Sequence, residues 1–195
     1  MSTIRLYLEL GISHIANLKG YDHLLFILSL CAVYLFRQWK QVLILVTAFT
    51  LGHTCTLALA TLHVIHVSSE WIEFLIPLTI FLTAFSNIFK GSSSEKPLLW
   101  RMKYLAALFF GLIHGLGFST YLRELLGNEG NVIKPLFAFN LGIEIGQIVF
   151  VGCLLCLTQL MVSRLRFPPR EWTVLQSGAG MGISLLLIFQ RIPWS

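Results

Sequence analysis

Six apolar stretches, each close to the length that crosses a bilayer, dictate that this chain folds as an all-α membrane bundle. They run over about 21–36, 41–62, 71–90, 101–126, 135–162 and 172–192. Roughly 20 apolar residues in a helix span the hydrocarbon core, and in lipid only a helix or a closed barrel satisfies its own backbone. Composition agrees: 56% of the 195 residues are hydrophobic and 12% are charged, where soluble domains carry about 25% charge. Ahead of these stretches, Ile4, Leu8, Ile12 and Ile15 recur at helical spacing between Arg5, Glu9 and Lys19. That pattern predicts an N-terminal interfacial or re-entrant helix. The expected architecture is one polytopic domain, 1–195, of about six transmembrane helices plus this N-terminal helix.

The net charge of +5 does not point to nucleic acid, because the basic residues follow the loops. Arg37, Lys40, Lys90, Lys96, Arg101, Lys103, Arg164, Arg166 and Arg170 flank one set of breaks. Arg5, Lys19, Arg123, Lys134 and Arg191 lie on the other side, diluted by most of the acidic residues. Positive loops stay in the cytoplasm, so both termini are expected outside, in a bacterial inner (cytoplasmic) membrane. The stretch Gly91-Ser-Ser-Ser-Glu95 is the one linker-like segment, and Trp172 and Trp194 read as interfacial anchors.

Against this apolar background a few polar residues stand out. Asp22, the only aspartate, adjoins His23 where the first apolar stretch begins, with His14 eight residues earlier. His53 shares one third of its helix with Thr47, Thr50 and Thr54, whereas Cys55 points away. His114 is flanked by Gly111, Gly115 and Gly117, which allow a helix or ligand to come close. Asn140, Glu144 and Gln147 fall at i, i+4 and i+7 and so form one stripe. A buried glutamate costs ~2.5–3.5 kcal/mol on insertion scales, so it reads as functional. Asn140, Gln147, Thr50 and Thr54 are expected to support the site, and Asn140 and Gln147 would serve equally well as helix-packing groups.

Thr79, Thr83, Ser86 and Asn87 share a face that suits packing, and Glu73 near the outer end suits a supporting role. His63 and His66 lie in a loop and are assigned little beyond ion capture. Cys31, Cys55, Cys153 and Cys156 all sit in apolar stretches and form no disulfide or zinc pattern.

The orientation brings His14, Asp22, His23, His53, His114 and Glu144 to one depth, in the outer half of the membrane. Imidazoles with carboxylates and no thiolate suit a borderline divalent ion such as nickel, cobalt, zinc or copper. One site, or a capture site feeding a deeper one, would both fit.

Four motifs in order carry a resemblance. They are His14 with Gly20-Tyr-Asp22-His23-Leu-Leu-Phe26, Phe49-Thr-Leu-Gly-His53-Thr-Cys-Thr56, Phe110-Gly-Leu-Ile-His114-Gly-Leu-Gly-Phe118 and Phe139-Asn140-Leu-Gly-Ile-Glu144-Ile-Gly-Gln147. Together they resemble the HupE/UreJ-like membrane proteins, accessory proteins of hydrogenase and urease systems, and Glu73 and Asn87 fit the third span of that family. The resemblance implies a permease or delivery protein for nickel or a related ion, working with a metallochaperone or metalloenzyme maturation protein. Two other readings stay open: an intramembrane zinc-dependent hydrolase using Glu144 or Asp22 to activate water, and a non-transporting assembly subunit. The transporter or accessory role is preferred to an enzyme.

Overall fold

The computed structural model describes residues 3–17, 20–89, 97–126 and 132–193, and these are helical apart from short connections. The order is α1 (Thr3–Ala16), α2 (Asp22–Cys31), α3 (Trp39–Thr61), α4 (Ser69–Ile88), α5 (Pro97–Gly117), α6 (Ser119–Leu126), α7 (Ile133–Gln159) and α8 (Pro169–Gln190). The protein is an all-α, multi-pass membrane protein. Lys19, the 90–96 loop with its Gly-Ser linker, the 127–131 loop and Trp194 lie outside the described residues.

Four helices, α3, α4, α7 and α8, are each long and apolar enough to cross a membrane. The α7 span continues through one π turn to Arg164. The expected fourth span divides into α5 and α6, which meet at a 47° bend after Gly117; together they are long and apolar enough for a fifth span, in the form of a broken helix or a re-entrant loop. The first apolar stretch also differs from expectation, since α2 stops at Cys31 rather than near Phe36. Beyond it the chain becomes extended at Leu35, whose backbone N–H donates to the Gln38 side chain at 3.0 Å, and α3 then begins.

At 10 residues, α2 covers about 15 Å, half of a ~30 Å hydrocarbon core. The other half of that traverse is α1. Gly11 sits against the backbone of Phe139, Gly142 and Ile143, Gly142 against Leu8, and Gly146 against Ile15, so α1 runs parallel to the first half of α7. Cys31 and Ile27 of α2 instead pack with Val42 and Leu45 in the first turns of α3 and with Ala107 midway along α5. Helices α1 and α2 therefore follow one another along the bundle, and the connection between them includes Leu18 and Lys19, which lie outside the described residues.

Two further interfaces position the site. Helices α3 and α5 lie parallel, with Gly52 on the backbone of Leu108 and Leu112, Gly111 on Phe49 and Gly115 on His53. Helix α4 lies antiparallel to α8. Asn87 Nδ2 there donates to the Ser29 carbonyl at 2.7 Å and to Ser177 Oγ at 3.3 Å. Arg170 donates to the Asn87 and Ile88 carbonyls that end α4, a favourable place for a cation.

Candidate metal site

The break between α1 and α2 is where the histidines meet. His14 lies in the last turn of α1, His23 in the first turn of α2, and His53 two-thirds of the way along α3. Each offers a ring nitrogen, and the three nitrogens lie within 4.8 Å of one another. Ring centroids are 4.7 Å apart for His14–His23, 5.6 Å for His23–His53 and 6.2 Å for His14–His53. Among the described residues this is the one group of three or more His, Cys, Asp or Glu side chains with such geometry.

His23 and His53 are buried and His14 is half-buried with its Nε2 atom covered. His14 Nε2, His23 Nε2 and both nitrogens of His53 have no hydrogen-bond partner among the described residues. Native proteins rarely leave buried polar atoms unsatisfied, and each such atom calls for a role. Three converging imidazoles lacking partners fit a cation that takes nitrogen ligands.

His114 on α5 stands beside this group, its ring 5.2 Å from that of His23. Its Nε2 lies 3.0 Å from Thr79 Oγ1, and that hydroxyl also donates to the Ile76 carbonyl at 2.7 Å. A hydroxyl has one proton to give. If it goes to Ile76, Nε2 of His114 is the donor and Nδ1 carries the lone pair. His114 Nδ1 has no partner among the described residues. Fixing a tautomer through the far nitrogen is how proteins prepare a metal-binding imidazole.

Aromatic rings wall the cluster. Phe118 and Phe139 stack at 5.0 Å and 3°, and His14 lies 4.1 Å from Phe118. Phe26 and Phe49 stack at 4.5 Å, and both border His114. Such a wall limits water and strengthens electrostatic interactions inside.

The carboxylates stand differently. Asp22 adjoins His23 in sequence, but its Oδ2 pairs with Arg191 Nη1 at 3.2 Å. Glu144 Oε1 accepts from Thr47 Oγ1 at 2.7 Å. Thr50 donates to Gln147 Oε1 and Thr54 to Asn140 Oδ1, each at 2.7 Å. The stripe expected on the fifth apolar stretch is thus matched by threonines of α3, and the two rows join antiparallel helices. Asn87 belongs to the α2–α4–α8 contact described above, away from the histidines. Glu73 lines a separate cavity of about 340 Å³ with His66, Arg123 and Glu124. Cys55, Cys153 and Cys156 are exposed on the bundle surface, and Cys31 is buried in the apolar core.

Sequence reasoning missed two contributors. Arg191 was counted only as a loop charge, although the charge rule placed it on the same side as Asp22. The phenylalanine wall gave no signal, because Phe is expected throughout a membrane helix.

With this geometry in place, comparison with known proteins is decisive for the family. A family model described as "HupE / UreJ protein" matches residues 1–192. The chain belongs to the HupE/UreJ family. No curated protein and no solved structure matches it. HupE/UreJ proteins are associated with nickel or cobalt transport or with accessory roles for urease and hydrogenase.

Proposed function

We propose that this HupE/UreJ protein carries a divalent transition-metal cation, of the nickel or cobalt kind, across the bacterial cytoplasmic membrane or delivers it to a maturation partner. His14, His23 and His53 hold the ion in transit, His114 and Asp22 flank them, and Glu144 answers with a proton. One observation carries this reading: the imidazoles of His14, His23 and His53, two buried and one half-buried, converge where α1 gives way to α2, which we read as the two halves of a discontinuous crossing. Transporters place ion sites at such broken helices near the membrane midplane. The hydrolase reading is less favoured, because Asp22 is tied to Arg191 and Glu144 to Thr47, leaving neither poised on water beside the histidines. Elemental analysis of the purified chain, paired with Ni2+ uptake into proteoliposomes, tests the proposal. Protein that neither retains nor moves Ni2+, Co2+ or Zn2+ would overturn it.

Orientation follows from the basic loops, with both termini outside. In a variant freed of its four cysteines, a cysteine at position 93 is expected to resist an impermeant maleimide in intact cells and react after permeabilisation. Labelling from outside would invert the topology and move the histidines to the cytoplasmic half.

Metal binding is also expected to depend on pH. Ligation needs neutral imidazoles, so protons compete with the ion as the pH falls. Affinity is therefore expected to fall as the pH is lowered, with protons released on binding wherever a ligand was protonated. Glu144→Gln keeps an acceptor for Thr47 and removes the carboxylate, so it is expected to fold and to release fewer protons per ion. Unchanged proton release in a weakly buffered indicator assay would reduce Glu144 to a packing residue.

A further inference from the structure

We propose that Arg191 is an exchangeable counter-ion: it holds the Asp22 carboxylate in the cation-free protein, yields it to an arriving divalent cation, and so sets how tightly the cluster grips its cargo. The inference rests on the metal reading above and adds a residue that this reading does not require.

The pair is incompletely made. A carboxylate has about four acceptor positions, and arginine usually engages it with two parallel bonds. Here a single contact of 3.2 Å joins Arg191 Nη1 to Asp22 Oδ2. Asp22 Oδ1 is buried and has no hydrogen-bond partner among the described residues. Asp22 opens α2, and the next residue is His23, one of the three converging imidazoles. An unused carboxylate oxygen thus belongs to the residue that precedes a ligating ring; it lies outside the three-nitrogen group itself, close enough for its charge to act on His23.

Arg191 has somewhere to go. It is the residue that ends α8, and its side chain is 28% exposed against 15% for Asp22. A cation at a helix C-terminus is favoured by the carbonyls left open there. The guanidinium can leave Asp22 for water or for the end of its own helix. While it stays, it both occupies the carboxylate and repels a second cation nearby. When a divalent ion arrives, the carboxylate exchanges one positive partner for another, and no proton or electron need move. A site built this way binds cargo while releasing it more readily than a free aspartate would.

The test titrates Ni2+ into detergent-solubilised full-length protein by calorimetry. Arg191→Gln is expected to tighten binding by about tenfold or more, the scale of one partly shielded charge near the site. Uptake into proteoliposomes should slow as release becomes limiting. The gain must run through Asp22, so Asp22→Asn/Arg191→Gln is expected to bind no tighter than Asp22→Asn alone. Unchanged or weaker binding in Arg191→Gln overturns the proposal. A tightening that survives in the Asp22→Asn background would be simple long-range repulsion, and also overturns it.

Should Arg191→Gln fold poorly without metal, thermal unfolding supplies a second reading. Saturating Ni2+ should then raise its midpoint by more than it raises the wild type's, because tighter binding stabilises more. An equal or smaller rise counts against exchange. Failure here is distinct from failure of the metal reading: in the latter case wild-type protein binds no Ni2+, whereas here His53→Ala still loses binding and Arg191→Gln has no effect.

Discussion

Replacing His53 with alanine is expected to abolish tight metal binding while the bundle stays folded. The ring is fully buried, and neither of its nitrogens bonds to a described residue. Its removal leaves a cavity among Phe49, His23 and His14 and takes away the ring beside Asn140, whose own bonds to Thr54 and Leu136 remain. The cost to binding is larger. The cluster falls from three converging nitrogens to two, and the lost nitrogen belongs to the long, well-packed helix α3. Loss of a supporting residue typically weakens a metal site by 10–100-fold; loss of a direct ligand is expected to exceed about 100-fold. Calorimetry with Ni2+ measures the affinity, and size-exclusion elution with helical circular dichroism checks the fold. His63→Ala, in an exposed turn with φ of 60°, should leave affinity within about twofold, as is usual for an exposed substitution far from a site. If His53→Ala kept wild-type affinity, the metal reading of these histidines would fall.

What the sequence revealed and what it hid divide along physical lines. Apolar length and loop charge depend on local composition, so the spans were visible, and the polar residues at membrane depth stood out because each costs several kcal/mol if unpaired. Partnerships were harder. The Asn140, Glu144 and Gln147 stripe was evident from its helical spacing. That Thr47, Thr50 and Thr54 would face it required knowing that α3 runs beside α7, a tertiary fact. For the same reason Glu144 was grouped with the histidines on depth alone, whereas its carboxylate reaches Thr47.

The first crossing was the least legible. Its apolar run begins at Tyr21, and hydropathy alone reads that as the start of a span continuing to Phe36. The amphipathic pattern of residues 4–19 reads as surface-lying. Neither signal reports that Gly11, Gly142 and Gly146 let α1 sink against the backbone of α7. Small residues carry no hydropathy, yet they decide which helices touch. Only their docking turns a short apolar helix and an amphipathic one into two halves of one path, with His14 and His23 on either side of the break.

Helix contact through glycine leads to the other large expected effect. A methyl group added at Gly52 would overlap the Leu108 carbonyl oxygen and lie 2.9 Å from the Leu112 nitrogen. Both are backbone atoms of α5, so no side chain can turn aside, and the two helices must separate or slide. Overpacking of this kind costs about 1–3 kcal/mol in soluble cores. In this protein the displacement falls one residue from His53 and opposite Gly111 and Gly115, which bring α5 and His114 against the same stretch of α3. Gly52→Ala is therefore expected to lower the thermal midpoint and weaken Ni2+ binding together, although residue 52 is itself no ligand. Gly152→Ala is the matched control, because nothing lies within 4 Å of a Cβ placed there. It should leave both quantities unchanged, or raise stability slightly through better helix propensity. A Gly52→Ala protein as stable as Gly152→Ala would mean that α3 and α5 are not held by backbone contact. One that loses stability but keeps full metal affinity would mean that the histidines tolerate movement between these helices, and that the site is less preorganised than its parallel α3–α5 support implies.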